Sequence, residues 1–521
     1  MDVTLLKIVS GQKPREIAAQ VLQWREAGKD FVEHLLEDAL ARSRLSPADR
    51  GLCQEIVYGV VRWQAPLNWL IDRKTNGRTQ KPMLQNLLRL GLYQIFWLDR
   101  IPNHAAVNET VELARLSGFG AQSGFVNAVL RNYLREFDAT RRLLADLKRM
   151  QPHLGYSHPE WLVARWQKRW GAEKAAQLME WNNTPPKTFA RVNTLKLSEV
   201  GSARCADRTP QHGVPTALEK AASVLLEKWR DENVEYDFVR RDWLEENLVF
   251  ELKSHPPLMQ LPSFQQGLFY VQDPGTLPAV RELNPQPGET ILDLCAAPGG
   301  KTTYIAQLMR NEGKVVAYDL SPERLKLIEE NCARLGVKCV ETICPNHARA
   351  RPHPDPLPQE REQQLSHSGT SKPRLANPAT GSAASRQTIL PLPGGEGRGE
   401  GGGSNPGLAF GDRKFDKILV DAPCSNTGVM RRRVELRWRI RPDEIVRLQQ
   451  TQLDLLRQSA PLLKPGGILI YSTCSLEPEE NGDVVREFLN SDKSFRLERE
   501  RELLPFADGV DGAFVAKISK M

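Results

Sequence analysis

After residue 266 the chain alternates short apolar segments with helical segments, and this alternation constrains the fold more than any other feature. Apolar segments at residues 290–294, 314–319, 338–343, 415–421 and 467–473 predict five strands, and residues 512–518 predict a final edge strand. Strands separated by helices typically form a parallel sheet with helices on both faces. The sequence therefore predicts an α/β domain with a mostly parallel sheet over residues 266–521.

The first part of the chain has a different pattern. Over residues 1–148, apolar residues recur at helical spacing and no alternating strand pattern is seen, so we predict an all-helical domain. Residues 149–265 mix helical segments with a short extended stretch at 188–193, which predicts a connecting subdomain. A multidomain chain agrees with a length of 521 residues.

One segment of the α/β domain differs from the rest. Residues 345–412 are rich in Pro, Gly, Ser and Arg and have almost no aliphatic periodicity. Such a segment buries too little apolar surface to offset the entropy cost of ordering. We therefore predict a disordered low-complexity insert that interrupts the domain.

Composition limits the class of protein. Hydrophobic residues make up 40% and charged residues 26% of the chain, and the apolar runs are too short to cross a bilayer. The eight cysteines have no regular spacing, so neither a disulfide framework nor a metal site is expected. The N-terminal residues lack the layout of a signal peptide, and we expect a cytoplasmic protein. The net charge of +7 weakly favours an anionic partner such as nucleic acid.

A glycine-rich loop follows the first predicted strand of the α/β domain, in the segment Asp293-Leu-Cys-Ala-Ala-Pro-Gly-Gly-Lys-Thr302. A P-loop requires glycine where Cys295 stands, and a dinucleotide-binding loop requires Gly-x-Gly-x-x-Gly, which is absent. Asp319 ends the second strand, where an acidic side chain commonly binds ribose hydroxyls. A glycine loop with this acid, but without a phosphate-binding motif, favours a nucleoside-type cofactor such as S-adenosylmethionine over a plain tight turn.

Two further strand ends carry cysteines, in Asp421-Ala-Pro-Cys-Ser425 and Ser472-Thr-Cys-Ser475. Ligands bind at the carboxyl ends of strands in open α/β sheets, so both thiols are expected to face one crevice. A lone cysteine is more often a small buried hydrophobe, and the other six are expected to be so. Paired thiols suit methylation of cytosine, because a thiolate that adds to carbon 6 makes carbon 5 nucleophilic.

Arginines are densest just after the first of these cysteines. Arg431, Arg432 and Arg433 are followed by three further arginines interleaved with Trp438. The cluster is suited to phosphate contact with base stacking, and we predict that Arg431, Arg432 and Arg433 bind RNA. A solvated charged loop is the alternative interpretation.

The glycine-rich segment Asp293–Thr302 and the two cysteine segments Asp421–Ser425 and Ser472–Ser475, in this order, resemble motifs of the RNA 5-methylcytosine methyltransferases of the Sun/Nop/Fmu group. In the front half, segments such as Asn103-His-Ala-Ala-Val-Asn-Glu109 and Phe125-Val-Asn-Ala-Val-Leu-Arg-Asn132 are similar to the bacterial small-subunit rRNA methyltransferase B family. That family carries an N-terminal helical domain similar to the antitermination factor NusB. The resemblance implies a NusB-like RNA-binding domain over residues 1–148 and a Rossmann-like S-adenosylmethionine-dependent methyltransferase domain over residues 266–521.

The resemblance also implies roles for single residues. Cys474 would be the covalent nucleophile and Cys424 the residue that helps to release the product. The cofactor would be bound by Cys295, Ala296, Ala297, Pro298, Gly299, Gly300, Lys301, Asp319 and Asp421. The expected partner is small-subunit rRNA, and we expect a monomer without a metal ion.

The chain departs from the family pattern at one position. The family has an acidic residue after the third strand, where this chain has Thr342-Ile-Cys-Pro-Asn-His347, and Asp412 beyond the insert is a possible remnant. An RNA-binding protein with an impaired methylase domain is therefore an alternative function. The same chemistry on tRNA is another.

Overall fold

The first domain of the computed structural model consists of helices. The model describes residues 13–28, 30–196, 216–345 and 410–521. The helices of this domain are α1 (Pro14–Ala27), α2 (Val32–Ala41), α3 (Pro47–Arg62), α4 (Gln64–Thr75), α5 (Pro82–Trp97), α6 (Asn103–Leu116), α7 (Ser123–Arg135) and α8 (Phe137–Met150). No strand occurs among the residues described before Met150, which confirms the predicted helical domain.

Local sequence signals mark where several of these helices begin and end. Three of them start with proline, whose missing N–H group costs nothing in the first turn. The hydroxyl of Ser46 caps α3 by accepting a hydrogen bond from the Asp49 N–H group at 3.2 Å. After α4 the chain turns at Asn76, in the left-handed region with φ 50°. The apolar faces of the helices pack into one core, in which Leu87 and Leu88 of α5 are fully buried.

A small antiparallel sheet follows the helical domain. Two helices lead to it, α9 (Pro152–Gly155) and α10 (Glu160–Asn183), and α10 is interrupted at Gly171 with φ 83°. The strands β1 (Thr188–Val192), β2 (Glu235–Phe238), β3 (Val249–Ser254) and β4 (Phe269–Val271) pair in the order β2-β3-β1-β4. Helix α11 (Ala217–Asp231) packs on this sheet through Trp229, which is fully buried.

The remaining elements form the predicted α/β domain. Its strands are β5 (Thr290–Leu294), β6 (Lys314–Tyr318), β7 (Val340–Ile343), β8 (Phe415–Asp421), β9 (Leu463–Thr473), β10 (Phe495–Leu503) and β11 (Ala513–Lys520). The short helix α12 (Pro262–Gln265) precedes β4. The helices of the α/β domain are α13 (Leu277–Leu283), α14 (Gly300–Leu308), α15 (Pro322–Leu335), α16 (Leu436–Arg439), α17 (Pro442–Ser459), α18 (Gly482–Ser491) and α19 (Pro505–Asp508).

The seven strands lie in the order β10-β11-β9-β8-β5-β6-β7, and the five from β9 to β7 are parallel. This confirms the predicted mostly parallel sheet. The prediction that the last strand lies at the edge is wrong, because β11 pairs on one side with β9 and on the other with β10. Charged residues dominate β10 and hide its apolar pattern. A charged strand is typical of a sheet edge that must not pair with another chain.

The predicted insert lies almost entirely outside the described residues. Residues 346–409 are not described, so the structure says nothing about them. In the described parts of the chain, no helix is both long and apolar enough to span a bilayer.

The connection after β8 docks the α/β domain onto the helical domain. Glu435 is buried, and its carboxylate forms an ion pair with Arg25 of α1 at 2.9 Å. The same carboxylate accepts the Val32 N–H group, the first of α2, at 2.6 Å. The indole of Trp438 packs on the helical core and donates to the Val61 carbonyl at 2.8 Å.

Arg437 in the same connection is fully buried. Its guanidinium donates to the Asn183 side chain at 2.7 Å and to the Asn182 carbonyl at 2.9 Å, both at the end of α10. Burial lowers the pKa of Arg437 to about 9, with a smaller effect from the charge of Arg62. This arginine therefore joins two parts of the protein instead of facing a solvent-exposed ligand.

We predict that Glu435→Gln weakens the docking of the two domains. The substitution keeps an acceptor for the Val32 N–H group but removes the charge that offsets half-buried Arg25 and Arg439, which costs about 3 kcal/mol for a carboxylate buried in this way. Chemical denaturation should show this loss in the free energy of unfolding. The control is Glu444→Gln, because Glu444 pairs with Arg447 on the surface. It should change the free energy by less than about 0.5 kcal/mol, and equal effects of the two changes would contradict the docking role.

Candidate active site

A cavity of about 610 Å³ opens where the carboxyl ends of β5, β8 and β9 meet. Each strand end contributes a lining residue, namely Cys295 just after β5, Asp421 at the end of β8 and Thr473 at the end of β9. A crevice at the carboxyl ends of parallel strands is the usual ligand site in open α/β sheets. The three motifs that the sequence marks are thus brought to one place.

The glycine-rich loop forms one wall of the cavity. Seven of the nine predicted cofactor-binding residues line it, namely Cys295, Ala296, Ala297, Pro298, Gly300, Lys301 and Asp421. Gly299 is not among the lining residues, and its role is conformational. It has φ 96°, and a side chain there would also approach Ile328 to within 3.3 Å. The loop thus turns at Gly299 into α14, which begins at Gly300.

Asp319 is also absent from the lining. It is buried, and its carboxylate accepts the N–H groups of Ala297 and Ser321, each at 3.2 Å. Arg324 lies 3.6 Å from the same carboxylate. Asp319 therefore holds the glycine-rich loop in shape, and its predicted contact with ribose hydroxyls stays a prediction.

Asp293, in β5, has an oxygen that no group of the described residues satisfies. The side chain lines the cavity but is fully buried, and Oδ2 accepts from the Thr302 hydroxyl at 2.7 Å. Oδ1 is buried and has no hydrogen-bond partner within the described part of the chain. Burial raises the pKa of Asp293 to about 7, with a further contribution from the charge of Asp421. An unsatisfied acceptor of this kind fits a ligand with an amino group or another positive centre, as S-adenosylmethionine has.

Lys301 and Asp421 form a pair between the glycine-rich loop and β8. The Lys301 ammonium lies 2.6 Å from the Asp421 carboxylate, whose other oxygen accepts the Ser472 hydroxyl at 2.8 Å. Burial alone would lower the pKa of Lys301, but the charge of Asp421 and their hydrogen bond raise it overall. A protonated amine is thereby held at the floor of the cavity.

The two predicted catalytic cysteines lie side by side at the same edge. Their sulfur atoms are 3.3 Å apart, and both residues line the cavity. The Cys474 thiol also donates to the side-chain oxygen of Asn426 at 2.9 Å. The hydrogen bond with Cys474, followed by burial and the charges of Cys474 and Glu480, raises the pKa of Cys424 well above its usual value. The geometry is suited to chemistry in which one sulfur attacks while the other remains a thiol.

The structure corrects the RNA-binding prediction for Arg431. This arginine is 1% exposed, stacks on Trp181 at 4.1 Å and pairs with Asp511 at 2.5 Å and Asp273 at 3.4 Å. A guanidinium that is buried and paired in this way cannot contact a phosphate. The run of basic residues predicted an exposed RNA-binding surface. Its acidic partners are remote in sequence, so the sequence did not indicate that Arg431 is paired.

Arg432 and Arg433 line the cavity, and their contact with RNA stays a prediction. Arg432 lies 2.8 Å from Asp273 and also pairs with Asp511. These ion pairs raise the pKa of Arg432, although burial opposes the shift. Only part of the predicted arginine surface is therefore available to a ligand.

The small antiparallel sheet also supports the site. This support was not apparent from the sequence. Arg191 of β1 is buried and donates to the Gly300 carbonyl at 2.8 Å and to the side-chain oxygen of Gln272 at 2.6 Å. Burial lowers the pKa of Arg191 to about 10. The first turn of α14 is thus held by a residue more than a hundred positions away. Arg191 and Gln272 carried no local motif that could have marked them.

The other cysteines differ in burial. Cys53 and Cys332 are buried as predicted, whereas Cys339 and Cys344 are half-buried and Cys205 lies outside the described residues. No cluster of His, Cys, Asp or Glu that could hold a metal ion occurs within the described ranges.

The end of β7 contributes nothing to the cavity. None of residues 342–345 lines it, and the Cys344 thiol instead donates to the Leu320 carbonyl at 3.6 Å. Asp412 is exposed and is also absent from the lining. The remnant role considered for Asp412 stays a prediction.

Comparison with known proteins gives three family matches. Residues 12–135 match the NusB family, residues 158–202 match the RsmF/B-like ferredoxin-like domain, and residues 280–355 and 400–519 match the 16S rRNA methyltransferase RsmB/F family. Residues 356–399, inside the predicted insert, lie between the two matched stretches. The predicted domain boundaries at residues 148 and 265 stay predictions.

Full-length relatives agree with these matches. The probable ribosomal RNA small subunit methyltransferase B of Bacillus subtilis is 32% identical over 97% of this chain and 98% of that protein. The ribosomal RNA small subunit methyltransferase B of Escherichia fergusonii is also 32% identical over the same shares. The crystal structure of PH0851 has a TM-score of 0.66 at 23% identity, covering 98% of this chain and 99% of that one, which supports the fold.

We predict that binding of S-adenosylmethionine strengthens as the pH rises through about 7. A positively charged ligand favours ionised Asp293, whose pKa in the free protein is about 7, so protonation at lower pH opposes binding. Isothermal titration should show Kd falling about tenfold from about pH 5.5 to pH 8.5. Asp293→Asn should bind more weakly and lose this dependence. An unchanged pH profile in that variant would contradict the role of Asp293.

Proposed function

Because the chain belongs to the 16S rRNA methyltransferase RsmB/F family, we propose that it transfers a methyl group from S-adenosylmethionine to carbon 5 of a cytosine in small-subunit rRNA. The observation that carries the proposal is the pair of sulfur atoms 3.3 Å apart at the ends of two adjacent parallel strands. An enzyme that methylates a nitrogen or a hydroxyl group has no need of two thiols. Carbon 5 of cytosine is a poor nucleophile, and covalent activation overcomes this limit.

In the proposed reaction Cys474 is the nucleophile. Its thiolate forms a bond to carbon 6, the electrons of the carbon 5–carbon 6 double bond move into the ring, and carbon 5 becomes nucleophilic. When bound, S-adenosylmethionine supplies the methyl group as an electrophile. The proton on carbon 5 must then leave, the double bond re-forms, and the bond between carbon 6 and sulfur breaks with the electrons returning to Cys474.

Cys424 is suited to accept the proton from carbon 5. Its pKa is raised chiefly by its hydrogen bond with Cys474 and by burial, with the charge of Cys474 next. Once Cys474 is bound to carbon 6 as a neutral thioether, its hydrogen bond and its charge no longer oppose ionisation of Cys424. Loss of the Cys424 proton to water then becomes easier, so the thiolate that can accept the proton from carbon 5 forms only after the adduct exists, which orders the two steps.

Lys301 and Asp421, besides their predicted contact with the cofactor, would bind the polar edge of the target base. Lys301 is held protonated by Asp421, and its charge also interacts with Cys474. A cation at this position stabilises the negative charge that the ring takes up after attack. Asp421 orients the amine through the 2.6 Å contact.

The cofactor would be held by the glycine-rich loop and Asp293. The loop brings backbone close to the ligand, and the free oxygen of Asp293 accepts from a positive centre. For RNA, Arg432 and Arg433 at the cavity and the helical domain are the proposed contacts, because phosphate groups attract guanidinium side chains. A monomeric state and a cytoplasmic location stay predictions.

One observation favours a second candidate function. The end of β7 supplies no residue to the cavity, and the acidic residue expected there is absent. Cofactor affinity would then be low, and the chain would act as an RNA-binding protein with an impaired methylase domain. The test below separates the two functions.

We predict that Cys474→Ala abolishes methyl transfer whereas Cys424→Ala traps an RNA adduct. Removal of the nucleophile should lower the rate at least about 10³-fold, while loss of Cys424 should block release. The measurement is transfer of label from S-adenosylmethionine to small-subunit rRNA, with denaturing gels to detect covalent adducts. Cys339→Ala is the matched control, because Cys339 is half-buried and does not line the cavity.

The outcome also discriminates among the alternatives. Label on carbon 5 of cytosine in small-subunit rRNA, with tRNA unlabelled, supports the proposal. A wild-type protein that binds the rRNA but leaves it unlabelled favours the impaired methylase. Full activity of Cys474→Ala would contradict the assignment of the nucleophile.

A further inference from the structure

A single buried carboxylate joins the two cysteine-bearing loops. Glu480 is fully buried, and its Oε1 accepts the Ser425 N–H group at 2.8 Å and the side-chain amide of Gln452 at 3.0 Å. Its Oε2 accepts the hydroxyls of Ser425 and Ser475. Four donors therefore converge on one side chain, and together they satisfy both of its oxygens.

The positions of the two serines give this contact its meaning. Ser425 directly follows Cys424 after β8, and Ser475 directly follows Cys474 after β9. The two hydroxyls also lie 3.1 Å from each other. A group that holds both serines thus limits the movement of the two sulfur atoms. Other hydrogen bonds also link the loops. The Gly428 N–H group donates to the Cys474 carbonyl at 2.9 Å, and the Thr427 hydroxyl accepts the Leu476 N–H group at 2.8 Å and lies 3.4 Å from the Ser475 hydroxyl. Glu480 differs from these contacts because it binds both serines.

Burial of this carboxylate is costly, which argues against a purely structural filler. A carboxyl group removed from water loses several kcal/mol of hydration, and burial accordingly raises the pKa of Glu480, although its hydrogen bonds oppose the shift. A neutral side chain could fill the same space at lower cost. Glutamine could not replace all contacts, because its NH₂ group would face the donors that now point at Oε1 or Oε2.

We propose that Glu480 is a positioning residue for methyl transfer, whose carboxylate fixes the separation of the Cys424 and Cys474 sulfur atoms by holding the serine that follows each of them. The proposal rests on the proposed function, in which both sulfurs act on one base. Misplacement of a reacting group by about 1 Å can cost about 10²-fold in rate. The carboxylate touches neither substrate nor cofactor in this scheme and acts through the two loops, in addition to the rise in the pKa of Cys424 that its charge causes.

The neighbouring Glu477 provides a matched control. It is 1% exposed and lies in the same segment, but its carboxylate contacts Arg165 and Trp166 of α10 and no cysteine-bearing loop. Glu480→Gln and Glu477→Gln therefore make the same chemical change at equal burial. Any loss of stability common to buried glutamates appears in both variants.

The first measurement follows catalysis. With labelled S-adenosylmethionine and small-subunit rRNA, Glu480→Gln should lower kcat at least about tenfold while the KM values for both substrates stay within about twofold. Glu477→Gln should keep kcat within about threefold of wild type. A kcat for Glu480→Gln that equals that of Glu477→Gln would overturn the proposal.

The second measurement follows the sulfur atoms without any RNA. Diamide takes two electrons and two protons from a pair of adjacent thiols and leaves a disulfide, so the rate at which a Cys424–Cys474 peptide link forms reports on their separation. This rate, followed by mass spectrometry of non-reduced digests, should fall about tenfold in Glu480→Gln and stay unchanged in Glu477→Gln. Equal rates in wild type and Glu480→Gln would overturn the proposal.

The two readouts separate this proposal from the proposed function. Suppose that the wild-type protein labels no rRNA, but the disulfide still forms more slowly in Glu480→Gln than in wild type. This result would uphold the positioning role and contradict the methyl transfer. If Glu480→Gln does not fold, Ser425→Ala decides, because it removes one of the four donors and leaves the carboxylate in place. It should slow the disulfide about threefold, and an unchanged rate would overturn the proposal.

Discussion

The parallel pairing of β8 with β5 on one side and β9 on the other is the constraint on which the site depends. Parallel strands end at the same edge of a sheet, so this pairing brings the glycine-rich loop, Asp421 and both cysteines together although 180 positions separate Cys295 from Ser475. A sulfur–sulfur distance of 3.3 Å follows from strand register and from the contacts of the two loops. The chemistry proposed for the chain is therefore a consequence of sheet topology.

The chain segment that begins at Cys424 continues to residues that contact the helical domain. Glu435 and Trp438 anchor the connection to the first domain, and Arg437 ties it to the end of α10. The helical domain is thus in contact with the chain segment that carries Cys424, one of the two proposed catalytic residues. Its packing supports the active-site loop in addition to any contact that it makes with RNA.

Local signals were sufficient for the fold class and for bringing most of the candidate site residues to one cavity. Apolar strands and glycine at a turn are short-range features, so five parallel strands, the loop and both cysteines were predictable. Partners remote in sequence were not: Arg431 was expected on the surface because Asp273 and Asp511, its buried partners, lie about 160 and 80 positions away. The edge strand β10 was missed because charged residues mask its pattern. Glu480 lies six positions after Cys474, but only the fold reveals its contact with Ser425.

The central claim is that Cys474, and not Cys424, attacks the base. The most direct measurement uses small-subunit rRNA that carries 5-fluorocytidine, because fluorine on carbon 5 cannot leave as a proton does and the adduct persists. Wild-type protein, labelled cofactor and this RNA are digested, and mass spectrometry locates the modified peptide. A methylated nucleotide attached to Cys474 is expected. Attachment to Cys424, or no adduct while unsubstituted rRNA is methylated normally, would contradict the central claim.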